Sequence, residues 1–75
     1  MTYRYKTRFG TFIIKPLLDS PERVGLWMDD ELLGTYHSPR SAADDVYTQH
    51  SNHDGWDAQP PVIEPADLTE WIASA

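Results

Sequence analysis

Two stretches of alternating apolar and polar residues lie side by side in the middle of the chain. In residues 23–29, Val24, Leu26 and Met28 alternate with residues of a second face, and residues 32–37 alternate again. Strict alternation places every second side chain on one face of a strand. The acidic tripeptide between the two stretches has a low β propensity and suits a tight reversal. The pattern therefore predicts a β-hairpin whose apolar face belongs to the core.

A helix is predicted directly after the hairpin. Ser38 is a suitable N-cap because its hydroxyl can accept a hydrogen bond from an unpaired amide, and Pro39 suits the first helical position. Asn52 and Gly55 supply stop signals, so the helix is predicted over residues 39–50. Its inner side is predicted from helical spacing to consist of Ala42, Ala43, Val46, Tyr47 and His50.

The N-terminal segment alternates aromatic residues or threonine with basic residues. If residues 3–9 are extended, one face carries three cations: Arg4, Lys6 and Arg8. Gly10 is interpreted as a bulge, and the β-branched residues that follow make 9–15 the better strand. Pro16 ends this strand, and residues 17–22 are predicted to form a loop.

The C-terminal third is predicted to close over the domain. Residues 51–64 are too broken for a regular element, and we expect a wrapped loop that is pinned by Trp56, Val62 and Ile63. A short helix is predicted over residues 65–73, with Glu64 or Asp67 as its cap. Trp27 points away from the core side of the hairpin. We expect the tail to cover it, so that the helix and the tail lie on opposite faces of the sheet.

Together these patterns predict one α+β domain over residues 1–75. A chain of this length is near the lower limit for a single core without disulfides or metals, so its net stability is expected to be about a few kcal/mol. The predicted architecture is a three-stranded antiparallel sheet (residues 9–15, 23–29 and 32–37) with one packed helix (39–50) and a short C-terminal helix (65–73).

The segment that contains Gly34, Tyr36, Ala42 and Ala43 resembles a known arrangement. A strand ending in Leu-Gly-Thr-Tyr, followed by Ser-Pro and an Ala-Ala helix, is similar to the three-stranded sheet and helix of plant ethylene-response DNA-binding domains. It is also similar to the arm-binding domain of tyrosine-type integrases, and both families read DNA with their sheet. The C-terminal Trp-Asp and Asp-Leu-Thr-Glu-Trp pattern resembles small bacterial proteins of uncharacterised function. These resemblances imply a fold and a bacterial type of domain, and no activity.

The charge of the chain is unevenly distributed. The net charge is −6, but residues 1–28 carry five basic and two acidic residues, whereas residues 29–75 carry one basic and ten acidic residues. A net negative charge disfavours nucleic acid as a partner. Nucleic-acid binding is therefore predicted only for the basic first strand, through Arg4, Lys6 and Arg8. Lysine and arginine on an edge strand also serve to prevent aggregation.

Two groups of residues are candidates for metal binding or catalysis. The densest set of possible metal ligands is His50, His53, Asp54 and Asp57, whose spacing fits no known signature. Acidic residues also occur in the runs 44–45 and 29–31, but neighbours on a helix point about 100° apart and do not share a pocket by default. The sequence holds no cysteine, no glycine-rich phosphate loop and no recognisable nucleophile context. We therefore predict no enzyme activity and no cofactor.

The function predicted from the sequence is that of a small, non-enzymatic interaction module. A protein partner is favoured, and nucleic acid bound by the basic first strand is the alternative. A metal-dependent enzyme or metal sensor around His50 and His53 is the third hypothesis. The apolar run near residue 14 is broken by Lys15 and Pro16, so neither a signal peptide nor a membrane span is predicted. We expect a cytoplasmic protein.

Overall fold

The fold is described from a computed structural model, which covers residues 1–20, 22–65 and 67–74. Pro21 and Ala66, which fall in the predicted loop and the predicted C-terminal helix, lie outside the described residues. The elements in chain order are strands β1 (Thr2–Thr7), β2 (Gly10–Pro16), β3 (Val24–Met28) and β4 (Glu31–Tyr36), helices α1 (Pro39–Tyr47) and α2 (Asp54–Ala58), a 3-10 turn (Leu68–Glu70) and strand β5 (Ile72–Ser74).

The predicted class, α+β with an antiparallel sheet, is confirmed, but the sheet has five strands and not three. Their order is β4-β3-β2-β1-β5, and every neighbouring pair is antiparallel. The N-terminal segment is a strand of its own because Thr7 pairs with Gly10 and closes a hairpin on Arg8 and Phe9. Gly10 has a φ of +134° and ends this turn, but the pairing runs from Thr7–Gly10 to Tyr5–Phe12 without an extra residue, so its interpretation as a bulge was wrong.

The irregularity in the sheet lies instead between β3 and β4. Leu26 pairs with Gly34, but Trp27 pairs with Leu32, which leaves Leu33 as an extra residue on β4. An extra residue of this kind reverses the alternation of side chains beyond it. Leu33 packs against the core, while Leu32 joins Trp27 on the opposite side of the sheet. The alternation predicted for residues 32–37, which would place Leu32 on the same face as Gly34, was wrong for this reason.

Helix α1 begins as predicted and ends earlier. Ser38 is the N-cap and accepts a hydrogen bond from the Ser41 amide at 3.2 Å, and Pro39 opens the helix. The helix ends at Tyr47, because Gln49 adopts a φ of +62° and its side-chain amide donates to the carbonyl oxygens of Trp56 and Gln59. The predicted inner side is confirmed in the buried side chains of Ala42, Ala43 and Val46. The prediction was wrong for Tyr47 and His50, whose side chains are exposed.

The tail packs on the same face of the sheet as α1. The ring centroids of Trp56 and Trp71 lie 5.1 and 6.2 Å from that of Phe12, and the Trp56 indole donates to the Val46 carbonyl oxygen at 2.7 Å. The core between the layers includes Val24, Leu26 and Met28, as predicted. The expectation of two covered faces was wrong, because the tail closes beside the helix and not behind the sheet.

The predicted C-terminal helix is replaced by a 3-10 turn and a strand. The side chain of Asp67 caps the turn by accepting from the Thr69 amide at 2.9 Å, and the Trp71 amide bonds to the Leu68 carbonyl oxygen at 3.1 Å. Beyond Trp71 the chain pairs with β1 through Ile72–Ser74. An isolated helix this short is costly to nucleate, whereas the edge of β1 offers backbone partners.

We predict that the tail is anchored by Trp56 and not by Ile63. Replacing the buried Trp56 with alanine removes its contacts with Phe12 and its bond to α1, so Trp56→Ala should lower the free energy of unfolding by about 3–5 kcal/mol. Ile63, which the sequence predicted as a second anchor, is 82% exposed. Ile63→Ala should change the stability by less than about 0.5 kcal/mol. Urea denaturation measures the stability of both variants when it is followed by the circular dichroism of the backbone and not by tryptophan fluorescence. Equal losses in the two variants would contradict the prediction.

A second prediction concerns Tyr36, whose hydroxyl donates to the Asp45 carboxylate at 2.8 Å and joins β4 to α1. Burial, and then the bond to Asp45, raises the pKa of Tyr36 well above its usual value. A raised folded-state pKa contributes stability that is complete below the unfolded-state pKa of about 10 and is lost as the pH rises toward the folded-state value. Denaturant melts between pH 8 and 11 should therefore show a stability loss that is smaller in Tyr36→Phe. An unchanged pH slope in the variant would refute this role.

Candidate interaction face

One side of the sheet is left uncovered by α1 and by the tail. We call it the open face. Directly opposed residues of antiparallel strands point to the same side, so the pairings identify its members. These are Thr2, Arg4, Lys6, Thr11, Ile13, Lys15, Gly25, Trp27, Leu32, Thr35, Ile72 and Ser74. None of these described positions carries a carboxylate.

A row of side chains crosses the open face over all five strands. Leu32 is paired with Trp27, Trp27 with Ile13, Ile13 with Arg4, and Arg4 with Ile72. We call these five residues the central row. Leu32 is 50% exposed and Ile72 75% exposed, and the two apolar residues between them are partly exposed. Four of the five side chains in the central row are apolar, and the fifth is a cation.

Cations lie within and beside the central row. Arg4 is exposed and donates to the Ser74 hydroxyl at 3.0 Å, while Lys6 lies two residues further along β1. Lys15 lies two residues beyond Ile13 on β2, on the opposite side of the row from Lys6. Arg8 does not join them, because it lies in the β1–β2 turn with its guanidinium 5.0 Å from the Phe9 ring. The structure therefore brings together two of the three predicted cations and adds a third.

Trp27 is held flat against the sheet by its neighbours. Its six-membered ring passes directly over Gly25, at a distance that leaves no room for a Cβ atom. The Lys15 ammonium lies 4.9 Å from the ring centroid, within range of a cation–π interaction. Beside the ring is a pocket of about 300 Å³ lined by Lys15, Pro16, Leu17, Leu18 and Trp27. Leu18 in the pocket wall is fully exposed.

Two of the four residues in the histidine and aspartate cluster predicted from the sequence shape the loop before α2, and the other two are exposed. His53 is the N-cap of α2, and its Nδ1 accepts from the Trp56 amide at 3.1 Å. The Asp57 carboxylate accepts from the Ser51 amide, the Ser51 hydroxyl and the Asn52 amide at 2.8–3.1 Å. In the part of the chain that the structure describes, no group of three histidine or acidic residues is placed to hold a metal ion.

The other acidic pairs do not meet in a common pocket. Asp45 is bonded to the Tyr36 hydroxyl, and the Asp29 carboxylate accepts from the Thr11 amide at 3.0 Å at the end of the β3–β4 hairpin. Asp44 is exposed on α1. Each carboxylate therefore has a separate environment, and two of the three are engaged in bonds between elements of the fold.

Sequence reasoning missed most of the open face. Lys15 and Ile13 were assigned to a strand but not to the same face as the cations of β1, because that assignment requires the two-residue turn at Arg8 and Phe9. Alternation across a two-residue hairpin places Arg4 opposite Ile13, so the signal was present in the sequence. Ile72 was assigned to a helix, and nothing in its local pattern predicted a strand.

Comparisons of this chain with protein-family models, with curated proteins and with solved structures gave no match. Within the described residues, no helix is long and apolar enough to cross a membrane.

We predict that Asp57 has a structural role in this loop. In Asp57→Asn one carboxylate oxygen becomes an amide donor that faces another donor, so either Asn52 or the fully buried Ser51 loses an acceptor. The free energy of unfolding should fall by about 1–3 kcal/mol. Asp54→Asn is the matched control, because Asp54 is exposed in the first turn of the same helix and should cost less than about 0.5 kcal/mol. Thermal melts with a chelator present measure the difference, and equal melting temperatures for the two variants would contradict this role.

Proposed function

We propose that this chain is a small, non-enzymatic domain that binds a protein partner through the open face of its sheet. The observation that carries the proposal is the central row, in which apolar side chains on four strands stay accessible outside the core. Contiguous exposed apolar surface is typical of interaction sites. A tryptophan within the row and charged residues around it match the composition of protein interfaces.

The arrangement of the acidic and histidine side chains supports a binding role over catalysis. His53, Asp45 and Asp57 each bond to groups that shape the fold. Placement in the cytoplasm is part of this proposal, because a chain without cysteine has no need of an oxidising compartment.

Nucleic acid is the second candidate. Arg4 and Lys6 share the open face with Lys15. The resemblance of residues 23–47 to DNA-binding domains that use their sheet also favours nucleic-acid binding. Two observations weigh against it. The net charge is −6, and the ring of Trp27 is placed between Gly25 and the Lys15 ammonium, which limits base stacking.

The proposal predicts that a partner contacts the open face in cells. A photo-crosslinking amino acid placed at Leu32 or Thr35 should give covalent adducts with a protein when the chain is expressed in its native cells. The same residue at Tyr47, which is 40% exposed on α1, is the matched control and should give none. Adducts at Leu32 should be lost when Ile72→Glu is introduced, because Ile72 contributes to the same row.

Three results would contradict the proposal: no adduct at either open-face position, adducts of equal yield at Tyr47, or adducts that persist in Ile72→Glu. Nuclease-sensitive adducts would favour nucleic acid. That alternative also requires a single-stranded oligonucleotide to bind the purified chain with an affinity that falls steeply between low and physiological salt.

A further inference from the structure

We infer that the partner presents to the open face an amphipathic α-helix with acidic residues along both borders of its apolar stripe. This inference rests on the proposed function and specifies its partner. It also assigns the pocket beside Trp27 as the anchor site for one large apolar side chain of that helix. Four properties of the open face carry the inference: its length, its backbone, its charges and its pocket.

The central row has the dimensions of a short helix. Five strands spaced about 4.8 Å apart give a row about 19 Å long. A helix rises 1.5 Å per residue, so about 13 residues cover this length and present an apolar side chain at each turn. The helix would lie across the strands, with its apolar stripe against Leu32, Trp27 and Ile13.

The backbone of the sheet favours a helix over an extended peptide. Beneath the middle of the central row the backbone is paired on both sides, because Trp27, Ile13 and Arg4 each have partners on two neighbouring strands. An extended peptide laid on this face would bury its own amide and carbonyl groups without partners, which is costly. A helix satisfies its backbone internally and buries only side chains.

The charges give the preference for acidic borders. Lys6 lies on one side of the row and Lys15 on the other, each two residues and therefore about 7 Å along a strand from a row residue. Arg4 lies within the row. Glutamate or aspartate on both borders of a helix meets Lys6 and Lys15, whereas lysine there meets like charge. The described positions of the open face carry no carboxylate, so its charges favour an acidic partner and offer nothing to a basic one.

The pocket gives the helix a fixed register. Its walls are formed by the apolar parts of Lys15, Pro16, Leu17, Leu18 and Trp27, and it borders the row on the Lys15 side. Leu18 is fully exposed, so an apolar occupant would cover it. A buried anchor in a pocket is the usual source of most of the affinity in small interfaces.

A second copy of this chain does not provide such a helix. The apolar side of α1, formed by Ala42, Ala43 and Val46, is fully buried in the chain's own core. Two open faces placed together would bring their cations into contact. Self-association is therefore an outcome that would count against the inference.

The test uses two synthetic helices as probes. Both are fluorescent, side-chain-stapled peptides of about 16 residues with leucine at helical spacing; one has glutamate on both borders of the leucine stripe and the other has lysine. The glutamate peptide should bind at least about tenfold more tightly in a fluorescence anisotropy titration. Amide chemical-shift changes in the protein should be confined to the five strands and the segment around Leu18.

Charge exchange provides the matched control. The double variant Lys6→Glu/Lys15→Glu should prefer the lysine peptide, because the borders of the face have changed sign. Arg40→Glu changes an exposed cation on α1 and should retain the preference of the parent chain. Both preferences are read from variants that show the dispersed amide spectrum of the folded parent.

Several outcomes would overturn the inference: equal affinity for the two peptides, no inversion in the double variant, shift changes centred on α1, tighter binding of a single-stranded oligonucleotide, or dimerisation through the open face in sedimentation experiments. The two proposals fail separately. Crosslinks at Leu32 without peptide binding would leave the open face as the interaction site and reject the acidic helix, whereas absence of both would reject the proposed function as well.

Discussion

The packing of Trp56 and Trp71 against Phe12 is the contact on which the rest of the structure depends. Phe12 lies near the middle of the sheet and is fully buried, and both tryptophans are 5% exposed. Aromatic side chains bury large areas, which a domain of this size needs because it has no disulfide. Since both tryptophans are supplied by the tail, the tail must lie beside α1 on the same face.

This packing decides which surface remains for function. Helix α1, α2 and the 3-10 turn together form one covering layer, and its buried apolar residues are used against the inner face of the sheet. No described segment remains to cover the other side. The apolar side chains of the central row are therefore exposed as a consequence of how the core is built. Three of them, Leu32, Trp27 and Ile13, are adjacent across the sheet, because the bulge at Leu33 moves Leu32 to the same side as Trp27.

The tail also closes the sheet at its free edge. Immediately after Trp71 enters the core, Ile72–Ser74 pairs with Thr2–Arg4 and makes β1 an inner strand. Arg4 thus lies inside the sheet, whereas Lys6 lies beyond the segment of β1 that pairs with β5. Arg4 remains exposed although it is paired on both sides, which makes edge protection an insufficient explanation for its presence.

Local patterns predicted the elements whose causes are local. The alternation around Leu26, the cap at Ser38 and the paired alanines of α1 each act within a few residues, and the structure confirms them. The C-terminal strand could not be predicted in this way. Residues 65–73 carry a capping pattern, but the Trp71 side chain and the edge of β1 compete with helix formation, and both effects depend on residues far away in the chain.

The candidate site was predicted only in part for a related reason. Arg4 and Lys6 were identified from composition and alternation alone. Their neighbours on the open face come from other strands, and which residues become neighbours depends on the turn at Arg8 and on the bulge at Leu33. A change of one residue in either would move a whole set of side chains to the other face. Sites formed across a sheet are therefore less predictable than sites formed along one element.

The charge of the open face differs from the net charge of the chain, and this difference determines how a partner can approach. The chain is 18 Å across in its shortest dimension, whereas electrostatic interactions at physiological ionic strength are screened over about 8 Å. A partner at the open face therefore senses Arg4, Lys6 and Lys15 more strongly than the exposed Asp44 of α1 on the far side. The net charge of −6 then acts mainly on partners that extend beyond the border of the open face. A long nucleic acid extends beyond the open face, whereas a helix as long as the central row does not. This difference in length favours a short acidic helix as the partner, even though the chain as a whole is acidic.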